Sequence, residues 1–210
     1  MRTRIKICGI TNPGDAVAAL DAGADYLGLV FTESPRRVSL EDARRIRGAI
    51  PASTPLVGVF ADESPEAVAP IAEALDLAAV QVRGWLERTD PPGREVWHVI
   101  RGATLPEPST LPMVPLRTYH LDAHDPALAG GTGQVSDWNW AKRGVEGGLR
   151  IFVAGGLTPD NVEGLVLDVR PFGVDASSGL ESAVGRKSAD WMRAFVERVR
   201  ASDRARPKRS

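Results

Sequence analysis

The chain has one cysteine, Cys8, among 210 residues. A single thiol closes no internal disulfide, so the reading is a reduced, cytoplasmic protein rather than a disulfide-stapled secreted one. The start, MRTRIKICGIT, lacks an apolar core of signal-peptide length. No stretch approaches the roughly 18 apolar residues of a membrane-spanning helix, which leaves no membrane partner. An excess of either charge is also missing. The 26 Lys and Arg balance 27 Asp and Glu for a net −1, so no global field draws nucleic acid. Histidine is scarce, and His98, His120 and His124 are not spaced with acids as metal ligands; no metal is expected. A small-molecule substrate is the partner class left.

Short apolar runs alternate with helix-patterned segments. Strand candidates lie at residues 4–10, 25–31, 55–60, 78–82, 95–101, 117–122, 149–154 and 171–176. They are rich in Val, Ile, Leu and Phe and rarely alternate with polar residues, the pattern of parallel strands covered on both faces. Amphipathic helices are read in PGDAVAALDAG, SLEDARRIRGAI, SPEAVAPIAEAL, TPDNVEGLVLDV and SADWMRAFVERVR, with N-terminal signals at Asn12, Ser39, Ser64 and Thr158. Eight strands in this alternation predict an α/β fold, a single closed (β/α)8 TIM barrel over residues 1–200 followed by a basic, flexible tail at 201–210. Four prolines in residues 102–116 make the fifth crossover degenerate. An open doubly wound sheet is the alternative, but Cys8-Gly9-Ile10-Thr11 after the first strand has one glycine where a phosphate loop needs several.

In a barrel, the loops after the C-terminal strand ends form the active face. Those ends carry Cys8, Arg36, Gln81 with Arg83, Asp122, Gly155-Gly156, and Asp175 followed by Ser177-Ser178-Gly179. The glycines of the seventh loop and the hydroxyls and amides of the eighth suit a phosphate, although either loop alone would read as a plain turn. Gly131 and Thr132, in the run AGGTGQVSDW, are candidates for a mobile loop over a ligand. Trp138 and Trp140 read as helix packing. Arg36 and Arg37 stand beyond the second strand, where one of them can fork a substrate carboxylate. A lone thiol in an apolar strand is by residue type an inert small hydrophobe. Cys8 would matter only if it faced a carboxyl group such as Asp122 across a shared cavity, where the two can move protons in opposite directions.

Taken in order, KICGIT, F..SPR, VGVF, LD with GGTG and DW, AGGLTPDNV and VDASSGLE resemble phosphoribosylanthranilate isomerase, from about residue 4 to about residue 200. The resemblance implies a cofactor-independent aldose-ketose isomerase of tryptophan biosynthesis. It would convert N-(5-phosphoribosyl)anthranilate to 1-(2-carboxyphenylamino)-1-deoxyribulose 5-phosphate by an Amadori rearrangement. It also implies Cys8 as general base, Asp122 as general acid and Arg36 as the partner of the anthranilate carboxylate, in a chain working as a monomer rather than a homodimer. A thiol of ordinary pKa is only about 3% thiolate at pH 7, so Cys8 is expected to be depressed by one to two units, roughly 1.4 to 2.7 kcal/mol, with Lys6 or Arg83 as helpers. Lys6, two positions before Cys8 on the same face, also reads as a buried ion-pair partner. Arg83, Gln134 and Ser136 depart from the histidine, lysine and phenylalanine usual in that family. Two other readings are a non-catalytic sugar-phosphate-binding barrel and the histidine-pathway aminoaldose isomerase, whose strand-end aspartate Cys8 would replace.

Overall fold

The computed structural model describes residues 2–83, 95–101, 105–113, 117–122 and 138–205. Eight parallel strands close on themselves in sequence order: β1 (Arg4–Cys8), β2 (Tyr26–Val30), β3 (Leu56–Val59), β4 (Ala79–Val82), β5 (Glu95–Ile100), β6 (Arg117–Asp122), β7 (Ile151–Ala154) and β8 (Gly173–Ala176). Helices α1 (Pro13–Ala22), α2 (Leu40–Gly48), α3 (Pro65–Ala74), α4 (Trp138–Glu146), α5 (Val162–Val169) and α6 (Ala189–Ala205) surround them. Each of the eight strand candidates of the sequence falls on one of these strands. An antiparallel hairpin, β9 (Glu181–Ala183) with β10 (Arg186–Lys187), follows β8; it was not foreseen. Among the described residues, no helix is long and apolar enough to cross a membrane.

Three of the four N-terminal signals cap as read. Asn12 accepts from the Asp15 amide, Ser39 and Asp42 form a reciprocal capping box, and Ser64 accepts from Ala67. Thr158 does not start a helix. Asn161 folds back, accepting from the Thr158 amide at 2.9 Å and donating to Gly156 O at 2.8 Å, and α5 begins only at Val162. At the other end, α6 corrects the expected tail. Asp203 takes the Thr3 amide at 2.9 Å and the Thr3 hydroxyl at 2.7 Å, while Arg200 donates to Thr3 O at 2.6 Å. Residues 201–205 therefore belong to the barrel wall, and 206–210 lie outside the described residues. In the fifth crossover a 3-10 turn at Pro108–Thr110 is the only regular element among the described residues.

The barrel has two insides. Alternate strand residues such as Ile5, Ile7, Leu27 and Leu29 face the helices and make the large outer core. The other phase fills the lumen, where Val57, Ala79, Trp97 and Phe152 form a second cluster with Tyr26 and Phe172 against it. Trp97 and Phe152 stack with ring centroids 4.2 Å apart. Gly173 makes room for them, since a Cβ there would lie 2.2 Å from Phe152 Cε1. Toward the C-terminal strand ends this apolar plug gives way to polar side chains.

Candidate active site

Lys6 on β1 is fully buried, with Nζ 2.7 Å from Asp175 Oδ2 on β8 and 2.9 Å from Gln81 Oε1 on β4. His120 Nε2 on β6 meets the same Asp175 oxygen at 2.7 Å. Four strands thus send polar side chains into the lumen at one level, directly above Trp97, whose ring lies 5.9 Å from the Lys6 ammonium. Because strand side chains alternate, the residues two positions further along share that facing. Cys8 follows Lys6 and Asp122 follows His120, so both are carried to the same, C-terminal mouth. The lone thiol and the strand-six carboxyl thus sit at the same end of the barrel, on strands separated by β7 and β8.

Charge balance within this layer decides the state of each group. Burial works against the Asp175 carboxylate, but Lys6 and His120 outweigh it and hold its pKa below the usual range. Burial likewise opposes the Lys6 ammonium, and Asp175 and Cys8 overcome it and raise its pKa. Cys8 behaves otherwise than expected. Burial pushes the thiol up; Lys6 is the strongest opposing influence, and Asp175 adds to the rise. The direction is thus opposite to the expected depression, first because burial disfavours the thiolate and then because Asp175 offsets part of what Lys6 supplies.

Cys8 Sγ and Lys6 Cε both press on Gly28 of β2, where a Cβ would come within 2.7 and 2.9 Å of them. Arg36, after β2, lies across the neighbouring Gly9, where a Cβ would meet Arg36 Cδ at 2.6 Å and Ser177 Oγ at 2.9 Å. Gly9 has φ +73°, a backbone that side chains rarely adopt. Glu181 receives Arg36 Nε and Nη2, each at 2.7 Å, and Lys187 Nζ at 2.8 Å. Neither Glu181 nor Lys187 stands out in the sequence. Their signal is the acid that closes the VDASSGLE motif and a base beyond the glycine turn that follows it. Gly155 and Gly156 follow β7 with φ of +89° and +64°. Ser177, Ser178 and Gly179 follow β8, with Gly179 packed so closely on the seventh loop that a Cβ would fall 2.0 Å from Leu157 O. The two loops proposed for phosphate are thus in direct contact.

Of the remaining candidates, Arg83 is not drawn into the Lys6 layer; it pairs with the exposed Asp62 at 3.3 Å. Gly131 and Thr132, like His124, Gln134 and Ser136, lie outside the described residues. His120, read in the sequence only as lacking metal-ligand spacing, is part of the polar layer. Counting two residues back from Asp122 would have placed it there. Trp140 is buried as expected and donates to Pro106 O at 2.6 Å.

Comparison with known proteins agrees with this geometry. The family described as "N-(5'phosphoribosyl)anthranilate (PRA) isomerase" matches residues 5–198. A Trichlorobacter lovleyi protein named N-(5'-phosphoribosyl)anthranilate isomerase is 41% identical over 203 residues, covering 94% of this chain and 98% of its own. The crystal structure of the Thermotoga maritima phosphoribosyl anthranilate isomerase superposes with TM-score 0.78 at 32% identity, covering 95% of this chain and 99% of that one. A further structure of such an isomerase, in complex with reduced 1-(o-carboxyphenylamino)-1-deoxyribulose 5-phosphate, superposes with TM-score 0.77 at 31% identity and the same coverage. A barrel with a thiol and a carboxyl at one mouth, matched over nearly its whole length, places the chain in the phosphoribosylanthranilate isomerase family.

Proposed function

We propose that Cys8 and Asp122 carry the two proton transfers of phosphoribosylanthranilate isomerisation, the tryptophan-pathway reaction of this family. Arg36 holds the anthranilate carboxylate and the loops after β7 and β8 hold the phosphate. The observation that supports this reading is the shared level of Lys6, His120 and Asp175, two positions beyond which strand alternation would set Cys8 and Asp122 toward the same end of the barrel. No cofactor is required by the steps below, and we take the single barrel as the working unit.

Asp122 gives its proton to the furanose ring oxygen as the C1–O bond breaks and the nitrogen lone pair forms C1=N, leaving an open-chain iminium cation conjugated to the aryl ring. Cys8 then removes the proton from C2, and the C–H electron pair forms the C1–C2 double bond of the enolamine. Tautomerisation gives the ketone. The raised thiol of the free enzyme suits this order. The iminium brings a positive charge next to Sγ at the step that needs a thiolate, adding to Lys6 what Asp175 takes away. Formation of the thiolate is thereby tied to ring opening.

Cys8→Ser and Asp122→Asn are the tests. Each is expected to lower turnover by at least about a hundredfold, the scale of a lost general acid or base, while circular dichroism and binding of reduced 1-(2-carboxyphenylamino)-1-deoxyribulose 5-phosphate are kept. Parental turnover in either variant would refute the assignment.

A further inference from the structure

Arg36 is not a free arginine waiting for a ligand. A guanidinium has two edges that can fork a carboxylate, and Glu181 occupies the one formed by Nε and Nη2, at 2.7 Å for each bond. Among the described residues, none takes the edge formed by Nη1 and the outer proton of Nη2. The side-chain stem has little freedom to change this, because it lies on the Gly9 backbone at a spacing no Cβ would allow.

Glu181 is itself fixed from the other side. Lys187 Nζ donates to its Oε1 at 2.8 Å and to Ser177 O at 3.1 Å. The Lys187 side chain is fully buried and that of Glu181 only 4% exposed. Burial pulls the Lys187 pKa down, with Glu181 opposing. The Glu181 carboxylate, which burial would disfavour, is held below its ordinary range by Arg36 and Lys187. The cluster therefore contains two cations and one anion in a largely desolvated place, one negative charge short of balance. A ligand carboxylate on the open edge of Arg36 completes it.

We propose that Glu181 and Lys187 are positioning residues that select which edge of Arg36 faces the substrate, and so determine the preference for an aglycone bearing a carboxylate. The inference rests on the reading of Arg36 as the carboxylate seat. Without Glu181 the guanidinium can turn about its last bonds, and its ordering must be supplied on binding. Because Lys187 also grips Ser177, the same pair ties the carboxylate seat to the loop after β8, so the two charged ends of the substrate are held at a fixed separation.

Two stable ligands separate the possibilities: reduced 1-(2-carboxyphenylamino)-1-deoxyribulose 5-phosphate and its phenylamino counterpart lacking the carboxyl group. Their dissociation constants are measured by calorimetry on the parent, Glu181→Gln and Lys187→Met. The parent is expected to bind the carboxylated ligand at least about tenfold tighter, the scale of one charge-assisted contact. In both variants that ratio is expected to fall by about the same factor, with KM for the natural substrate rising more than kcat falls. A purely structural role would weaken both ligands equally and leave the ratio alone. A large parental ratio that is kept, or that increases in Glu181→Gln, overturns the inference while sparing the Arg36 assignment. A parental ratio near one removes the Arg36 assignment and the inference together. Should Glu181→Gln fail to fold, Glu181→Asp keeps the charge but cannot reach both partners, and the same criteria apply to it.

Discussion

Lys6 Nζ and Asp175 Oδ2 stand 2.7 Å apart in the barrel lumen, with the two side chains 0% and 6% exposed, directly beneath the thiol of Cys8. An ion pair in such a place contributes little net stability, because the desolvation of both charges offsets their attraction. Its removal is another matter. Lys6→Met strands Asp175 beside His120 and is expected to destabilise the fold by about 3–5 kcal/mol, the usual cost of breaking a buried pair. Urea unfolding measures this. The same variant is expected to move the midpoint of the Cys8 alkylation rate to higher pH, since Lys6 is the strongest influence favouring the thiolate, whereas Lys6→Arg, which keeps the charge, should move it less. An unchanged midpoint in Lys6→Met would show that the ammonium does not act on the sulfur.

The perturbed groups also set how stability depends on pH. Asp175 and Glu181 are held below their ordinary values, so their contribution is complete above about pH 4.5 and is lost as pH falls through the lower folded values. Cys8 and Lys6 are raised, so theirs is complete below the unfolded values, about 8.5 and 10.4, and is given up as pH rises toward and through the folded ones. Lys187 is lowered; it costs stability at low pH, and that cost is relieved as pH rises. A plateau in the urea midpoint is expected between these limits. Cys8→Ala should flatten the first part of the alkaline decline and Glu181→Gln the acid one; slopes unchanged from the parent would contradict the assigned directions.

Much of the architecture was legible because parallel barrel strands are apolar on both faces, and each strand candidate fell on a strand. The lumen was harder to read. In RIKIC, Ile5 and Ile7 announce a core, yet Lys6 between them is just as buried. A period-two pattern cannot tell a solvent face from a second interior. Cys8, Asp122 and Arg36 were found through motifs. Asp175 and Gln81 were noted as strand ends, but their union with Lys6 and His120 needed the closure of the barrel. Glu181 and Lys187 escaped because their chemistry comes from Arg36, 145 positions away from Glu181. The end of α6 escaped for a similar reason, as its last turns are held by Thr3 at the opposite end of the chain.

The apolar plug beneath the site can be tested through its tightest contact. Gly173→Ala would place a Cβ 2.2 Å from Phe152 Cε1 and 2.5 Å from Cζ, inside any permissible separation. Phe152 in turn stacks on Trp97 at 4.2 Å and has little room to withdraw. Overpacking of this kind is expected to destabilise by about 1–3 kcal/mol. Phe152→Leu in the same chain should recover part of that loss, giving a favourable coupling energy in a double-mutant cycle followed by urea unfolding. Strictly additive effects would mean that the ring is not what fills the glycine's space.

Gly9 follows Cys8, the proposed general base, and lies under Arg36, the proposed carboxylate seat, so its replacement probes both through different measurements. At φ +73° an alanine costs about 1–2 kcal/mol from backbone conformation alone, which urea unfolding reads as lost stability. The new methyl would also meet Arg36 Cδ at 2.6 Å and Ser177 Oγ at 2.9 Å, so Arg36 must lift away from its position against Glu181. Gly9→Ala is therefore expected to raise KM by about tenfold or more, the scale of a displaced charge-assisted contact. Cys8, one residue away on a strand whose pairing with β2 and β8 is unaltered, should keep the pH dependence of its alkylation. A shift of that dependence, with KM unchanged, would place the strain at the thiol rather than at the arginine.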